Sequence, residues 1–244
     1  MLSASGIIKD YSQRVLHGID LDVAAGEFVV IMGPSGSGKT TLLHMLSGMD
    51  RPTAGTVTLG GRELTGLGER ELADVRLRHI GFVFQEPHLL QSLDLRDNIV
   101  LPGLLAGERP RGEIVARAEE LMTDIGIASI ADHLPGQASG GQLQRAGICR
   151  ALINGASVVF GDEPTGALNQ AMSQQILDVL SRLNDAGTTL ILVTHDPQVA
   201  ARASRLVMLV DGRLTDDLKL GAYSAREHEE RMSRVREVMA ARGI

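Results

Sequence analysis

The sequence predicts an α/β fold: a core of buried strands with helices between them, an antiparallel β subdomain at the N-terminus and an inserted α-helical subdomain. Three observations predict it. Two strand-like segments, residues 3–10 and 15–23, come first, and the second alternates apolar Leu16, Ile19, Leu21 and Val23 with polar His17, Asp20 and Asp22. Four short apolar runs, 27–32, 80–84, 157–161 and 189–194, are then separated by stretches of helical character. Between 86 and 150 strand patterns vanish altogether.

Composition narrows the class. At 244 residues the chain is long enough to bury a sizeable core, and its 43% hydrophobic share excludes a disordered chain. A net charge of −6 argues against nucleic acid as a main partner. Cys149 is the single cysteine, so no intrachain disulfide is possible, which suits a reducing compartment. There is no leader-like N-terminus, and no apolar run approaches the ~20 residues that span a bilayer. A chain soluble on its own is expected, whose membrane role needs a partner.

Taken in order, the first two strands bracket Tyr11, which can stack on a flat base or pack on the core. The run 27–32 leads into Gly33-Pro34-Ser35-Gly36-Ser37-Gly38-Lys39-Thr40, which fits G-x-x-x-x-G-K-[ST] at every fixed position. A buried helix over 41–46 follows. Glycines let the backbone wrap a polyphosphate, and the N–H groups and helix N-terminus favour an anion. Lys39 supplies a cation for the β- and γ-phosphates, and Thr40 a hydroxyl for Mg²⁺.

Breaker residues fill 48–55, a short strand occupies 56–59, and Gly60-Gly61 turns the chain. A charged helix over 69–78 precedes the strand 80–84, with Gln85 at its C-terminal end, the edge at which open α/β sheets bind ligands. Helical periodicity at 96–106 and 113–125, split by the turn 107–112, marks the insertion. Ala138-Ser139-Gly140-Gly141-Gln142 then opens another helix, a second potential anion site. It serves the same nucleotide only if the fold, or another copy, brings it there.

The run 157–161 ends in Asp162-Glu163-Pro164, acids at a buried strand's C-terminal edge and expected beside the phosphate loop of a neighbouring strand. Asp162 is placed to hold Mg²⁺, directly or through water, and Glu163 to reach a water in line with the γ-phosphate. An amphipathic helix spans 170–184. The strand 189–194 carries His195-Asp196 at its end, the one histidine with a ligand-edge setting. A hairpin turns at Asp211-Gly212. From Ser224 the tail is charged and helical, with a thin apolar stripe of Met232, Val235, Val238 and Met239.

These motifs, in this order, resemble the ATP-binding subunit of an ABC transporter over residues ~3 to ~215. The resemblance implies a P-loop NTPase (RecA-like) core and a single ABC ATPase domain over 1–244, with its helical subdomain at about 86–150 and a charged C-terminal helix at about 224–242. It implies ATP and Mg²⁺ as cofactors. The family's phosphate loop matches Gly33 to Thr40, with Thr41 beside it. Its glutamine loop matches Gln85, its signature Ala138 to Gln142, its acidic strand the run into Glu163, and its switch histidine His195. Tyr11 takes the adenine-stacking position.

By the same resemblance Lys39, Gln85, Glu163 and His195 act in hydrolysis. Tyr11, Gly33, Pro34, Ser35, Gly36, Ser37, Gly38, Lys39, Thr40, Thr41, Ser139, Gly140, Gly141 and Gln142 bind the nucleotide. Thr40, Gln85 and Asp162 hold Mg²⁺. Two copies pack head to tail around two ATP molecules, each phosphate loop facing the other copy's Ser139-Gly140-Gly141. Integral membrane permease subunits are the further partners, which puts the chain at the cytoplasmic face of the membrane. No nucleic-acid partner is implied: there is one cassette, and no sustained heptads interrupt 41–137.

Phe82-Val83-Phe84-Gln85, Asn98-Ile99-Val100-Leu101-Pro102 and Gly161 to Leu168 resemble the group serving macrolide efflux, lipoprotein release, haem export and peptide resistance. A regulatory ATPase that gates a cell-wall or signalling complex is the alternative. Two residues depart from the family pattern: Ala138 stands in place of leucine and Asn169 in place of aspartate.

Overall fold

The computed structural model describes residues 1–243. The chain begins with β1 (Leu2–Asp10), β2 (Arg14–Val23), β3 (Phe28–Met32), α1 (Lys39–Leu46), β4 (Ala54–Leu59) and β5 (Arg62–Glu63). After α2 (Glu69–His79) come β6 (Ile80–Phe84), α3 (Leu95–Ala106), α4 (Arg111–Ile125), α5 (Gly140–Leu152) and β7 (Val158–Asp162). It continues through α6 (Gln170–Asp185), β8 (Thr189–Val193), α7 (Pro197–Arg202), β9 (Arg205–Val210), β10 (Arg213–Lys219) and α8 (His228–Ala241). Two compact units result: Met1–Leu72 with Leu183–Ile244, and Ala73–Arg182.

The first unit holds an antiparallel sheet of order β2-β1-β4-β5 and the strands β10-β9-β3-β8. β3 is fully buried and runs parallel to both neighbours, with Ile31 opposite Val193 on β8 and Val207 on β9. A strand buried on both faces needs no alternation, which is why this run reads as continuously apolar. Both flanks of β3 are thereby taken. The strand bearing His195 adjoins the phosphate-loop strand, and the acidic strand β7 does not, contrary to the expectation from sequence. Strand order follows from crossover connections that no local pattern records.

In the same unit α7, a helix not expected from sequence, follows the strand end that carries His195. Here the Asp196 carboxylate accepts the Gln198 N–H at 2.8 Å and Pro197 occupies the first helical turn, so the pair starts a helix. α8 buries Met232 and Val235 of the tail's apolar stripe. Arg231, only 2% exposed, donates to the carbonyls of Ala201, Ala203, Leu220, Gly221 and Ala222.

The second unit pairs β6 with β7 in parallel, Phe84 opposite Asp162. α3 and α4 occupy the expected insertion. α3 starts at Leu95 because Asp94 caps it, its carboxylate accepting the Asp97 N–H at 2.7 Å. α5 is amphipathic, with Ala146, Ile148 and Cys149 buried. Burial pushes the Cys149 thiol up to about 12, so it remains a protonated core residue.

Candidate functional site

The first unit presents the phosphate loop. β3 delivers the chain to Gly33, where a Cβ would lie 2.0 Å from the Leu209 carbonyl, so only glycine fits. Gly38 precedes α1 at φ 99°, a left-handed conformation that side chains resist. With no side chain it cannot cap the helix, so the positive end of α1 faces the loop. The Lys39 ammonium folds back on the loop and donates to the Gly33 and Pro34 carbonyls, each at 2.8 Å. The buried Ser37 hydroxyl has no hydrogen-bond partner. A loop whose cation rests on its own carbonyls, and which holds an unspent donor, fits an anionic ligand of several oxygens.

His195 lies at the corresponding end of the neighbouring strand, exposed, one residue beyond Thr194, whose N–H bonds the Ile31 carbonyl at 3.2 Å. Tyr11 follows β1. Its ring is 57% exposed, so the core-packing alternative does not hold. Its phenol donates to the Asp50 carboxylate at 2.9 Å. The unit thus carries Tyr11, Gly33 to Thr41 and His195.

The second unit carries the acids and the glutamine. Parallel register places Gln85 and Glu163 one residue beyond the paired Phe84 and Asp162. Glu163 has φ 47°, rare for a residue with a side chain, and the Gly166 N–H closes a turn on its carbonyl at 2.9 Å. A Cβ on Gly166 would stand 3.1 Å from Gln85 Nε2 and 3.3 Å from Glu163 Cβ, so these three residues are in contact. The side chains of Gln85 and Asp162, like that of Thr40 in the first unit, offer oxygen donors, the chemistry of Mg²⁺ rather than of softer metals. Among the described residues no cluster of three or more His, Cys, Asp or Glu forms a metal site by itself.

Ser139 caps α5, accepting the Gln142 N–H at 3.4 Å, while the Gln142 carboxamide oxygen accepts the Ser139 N–H at 2.8 Å. Gln142 therefore spends its side-chain oxygen on the cap. Gly141 lies against Met172 of α6, where a Cβ would come within 3.3 Å. Asn169 accepts the Met172 N–H at 3.0 Å, a capping role that asparagine fills as well as aspartate.

Two polar residues of α5, buried Gln144 and half-buried Arg150, escaped the sequence reading. Gln144 donates to the Phe84 carbonyl at 2.8 Å. Arg150 donates to the Pro87 and His88 carbonyls, and burial lowers its pKa. Both tie α5 to the segment around Gln85. Beside that segment lies a cleft of about 360 Å³ lined by Glu86, Pro87, Leu89, Pro135 and Leu143, with Leu90 and Leu134 exposed next to it in sequence.

Residues 16–166 match the ABC transporter family. The chain is 47% identical over 212 residues to "Macrolide export ATP-binding/permease protein MacB 1/2" of Paracoccus denitrificans, covering 87% of this chain and 32% of that protein. It is 44% identical over 221 residues to "Uncharacterized ABC transporter ATP-binding protein YknY" of Bacillus subtilis, covering 88% of this chain and 95% of that one. It thus spans about a third of the length of the macrolide-export relative and nearly all of YknY. Among solved structures, a dimeric post-hydrolysis state of the ATP-binding cassette MJ0796 bound to ADP and Pi matches with a TM-score of 0.84 at 36% identity, covering 91% of this chain and 100% of that one.

Proposed function

This chain belongs to the ABC transporter family as an ABC ATPase, and from that premise we propose that it hydrolyses ATP to power a partner membrane permease. The cargo class is export or extrusion of a drug, peptide, haem or lipoprotein, which the likeness to macrolide-export proteins supports. The observation that carries the reading is the loop Gly33 to Thr40, with its backbone closed against Leu209 and the Lys39 ammonium resting on loop carbonyls. Arrival of a triphosphate gives that ammonium charged oxygens in exchange for neutral ones.

The remaining residues take roles in turn. Tyr11 stacks on adenine through its exposed ring. Gly33 to Thr41 hold the phosphates, and the oxygens of Thr40, Gln85 and Asp162 hold Mg²⁺. The ion, when bound, neutralises charge on the β- and γ-phosphates. Glu163 accepts a hydrogen bond from the attacking water and orients it, and the left-handed turn at this residue fixes its direction. His195 steadies the γ-phosphate. Ser139, Gly140 and Gly141 of a second copy close on the nucleotide, so that neither copy alone neutralises the triphosphate. Ala138 leaves the serine-diglycine contacts intact.

Among the described residues no helix is long and apolar enough to cross a membrane. We assign the chain to the cytoplasmic face of the membrane through its permease. The cleft beside Gln85 is the surface offered to that permease, since its walls carry the Pro87 and His88 backbone that Arg150 fastens to α5.

The test is nucleotide affinity of the purified chain. Lys39→Ala should weaken ATP binding by about tenfold or more, the loss of charge-assisted hydrogen bonds. Unchanged affinity contradicts the phosphate cradle.

A further inference from the structure

Tyr11 stands at the end of a chain of polar contacts that begins on the phosphate-loop helix. α1 starts at Lys39, and past its C-terminus the N–H groups of Met49 and Asp50 both bond the His44 carbonyl, at 3.0 and 3.2 Å. Asp50 is thereby fixed to the same helix that carries the phosphate-binding lysine. Its Oδ1 accepts the Arg51 N–H at 2.7 Å. Its Oδ2 accepts the Tyr11 phenol at 2.9 Å and the Lys9 ammonium at 2.8 Å. Lys9, 9% exposed, also donates to the Arg51 carbonyl at 2.6 Å, and its Nζ lies 4.8 Å from the Tyr11 ring centroid.

We infer that Lys9 and Asp50 are positioning residues for nucleotide binding: they hold the exposed Tyr11 ring in one orientation against the end of the phosphate-loop helix, ready to receive the base. This rests on the stacking role of Tyr11 proposed above. An exposed tyrosine normally samples several rotamers and must be ordered when a ligand stacks on it. Here the phenol is bound before any ligand arrives, at Asp50 beyond the C-terminal end of α1. The ammonium beside the ring makes a cation–π contact. It also neutralises Asp50, whose bare charge would repel a polyphosphate. An ordinary half-buried ion pair would account for Lys9 and Asp50, but not for an exposed aromatic bonded into it.

The charge states favour a persistent tether. Burial, and then the hydrogen bond to Asp50, push the Tyr11 phenol above its ordinary range, so it stays a donor at neutral pH. Burial alone would raise Asp50. Bonds from Lys9, the Arg51 N–H and Tyr11 outweigh it and hold the carboxyl below its usual value.

The experiment compares calorimetric affinities for ATP and for inorganic tripolyphosphate, which has no base. Tyr11→Phe keeps the ring and loses only the phenol, at an exposed position where folding is not at stake. Tyr11→Phe should weaken ATP binding about three- to tenfold, the cost of ordering one side chain, and leave tripolyphosphate unchanged. Asp50→Ala should lower the ratio of ATP to tripolyphosphate affinity by the same factor, because the Lys9 charge it uncovers acts on both ligands. The double variant Tyr11→Phe/Asp50→Ala should show no lower ratio than either single one, because both remove the same bond. Wild-type ATP affinity in both single variants, with Tyr11→Ala weakened, overturns the tether and leaves stacking intact. Equal losses for ATP and tripolyphosphate also overturn it. Unchanged ATP affinity in Tyr11→Ala removes the stacking role itself.

Discussion

The Gln144 carboxamide donates to the Phe84 carbonyl at 2.8 Å and binds the helix opened by Ser139 to the strand that ends just before Gln85. Gln144 is 1% exposed. Its Nε2 therefore serves a strand end rather than solvent, and a signature helix and a glutamine loop share one anchor. Arg150, one of whose bonds reaches the His88 carbonyl at 2.9 Å, adds a second.

Replacing Gln144 by leucine keeps the volume and removes the donor. An unsatisfied buried carbonyl costs about 1–3 kcal/mol. Urea denaturation should show that loss. The ATPase assay should show kcat falling with little change in KM for ATP, because Gln85 loses its support while the phosphate loop is untouched. Wild-type stability and kcat together contradict the anchor.

Arg231 is the counterpart at the C-terminus. Its guanidinium reaches five backbone carbonyls, and the Tyr223 ring lies 5.5 Å from its Cζ. Arg231→Met should destabilise the fold by about 3 kcal/mol, since bonds from a charged donor are the stronger ones. Arg231→Lys should recover little, because an ammonium cannot reproduce the planar fork. Full stability in the methionine variant would show that the Arg231 hydrogen bonds add nothing to the unit.

Acid sensitivity has a local source. Arg205 makes a two-pronged pair with Asp217, both contacts 2.7 Å, and also donates to the Asp22 carbonyl at 2.7 Å. The Arg205 hydrogen bonds hold the Asp217 carboxyl below its ordinary value, against a smaller opposing effect of burial. A carboxyl depressed in the folded state stabilises above its unfolded pKa of about 4, and that stability is lost as pH falls through the lower folded value. Melting temperature should therefore drop as pH is taken below about 4, and Asp217→Asn should flatten part of that decline. An identical acid limb in the variant contradicts the assignment.

Much of this was legible in the chain, for local reasons. A loop that needs glycine where a Cβ would strike the Leu209 carbonyl leaves a literal pattern. A doubly buried strand such as β3 leaves an unbroken apolar run, and a capped helix such as α5 leaves serine three residues before glutamine. What escaped is non-local or locally ambiguous. β8 lies beside β3 where β7 was expected, because strand order is decided by crossovers. α7 is six residues long and opens with an aspartate-proline pair that also suits a turn. Gln144, Arg150, Lys9 and Asp50 look like ordinary surface residues until the fold gives them partners far along the chain.

The account stands most directly on Glu163, the residue at φ 47° beyond the acidic strand. The decisive measurement is ATP turnover and association state of Glu163→Gln with Mg²⁺ and ATP, followed by phosphate release and sedimentation. Turnover should fall by about 10²–10⁴-fold while ATP still binds and the chain accumulates as a dimer. Hydrolysis at the wild-type rate would contradict the assignment of Glu163 to the attacking water.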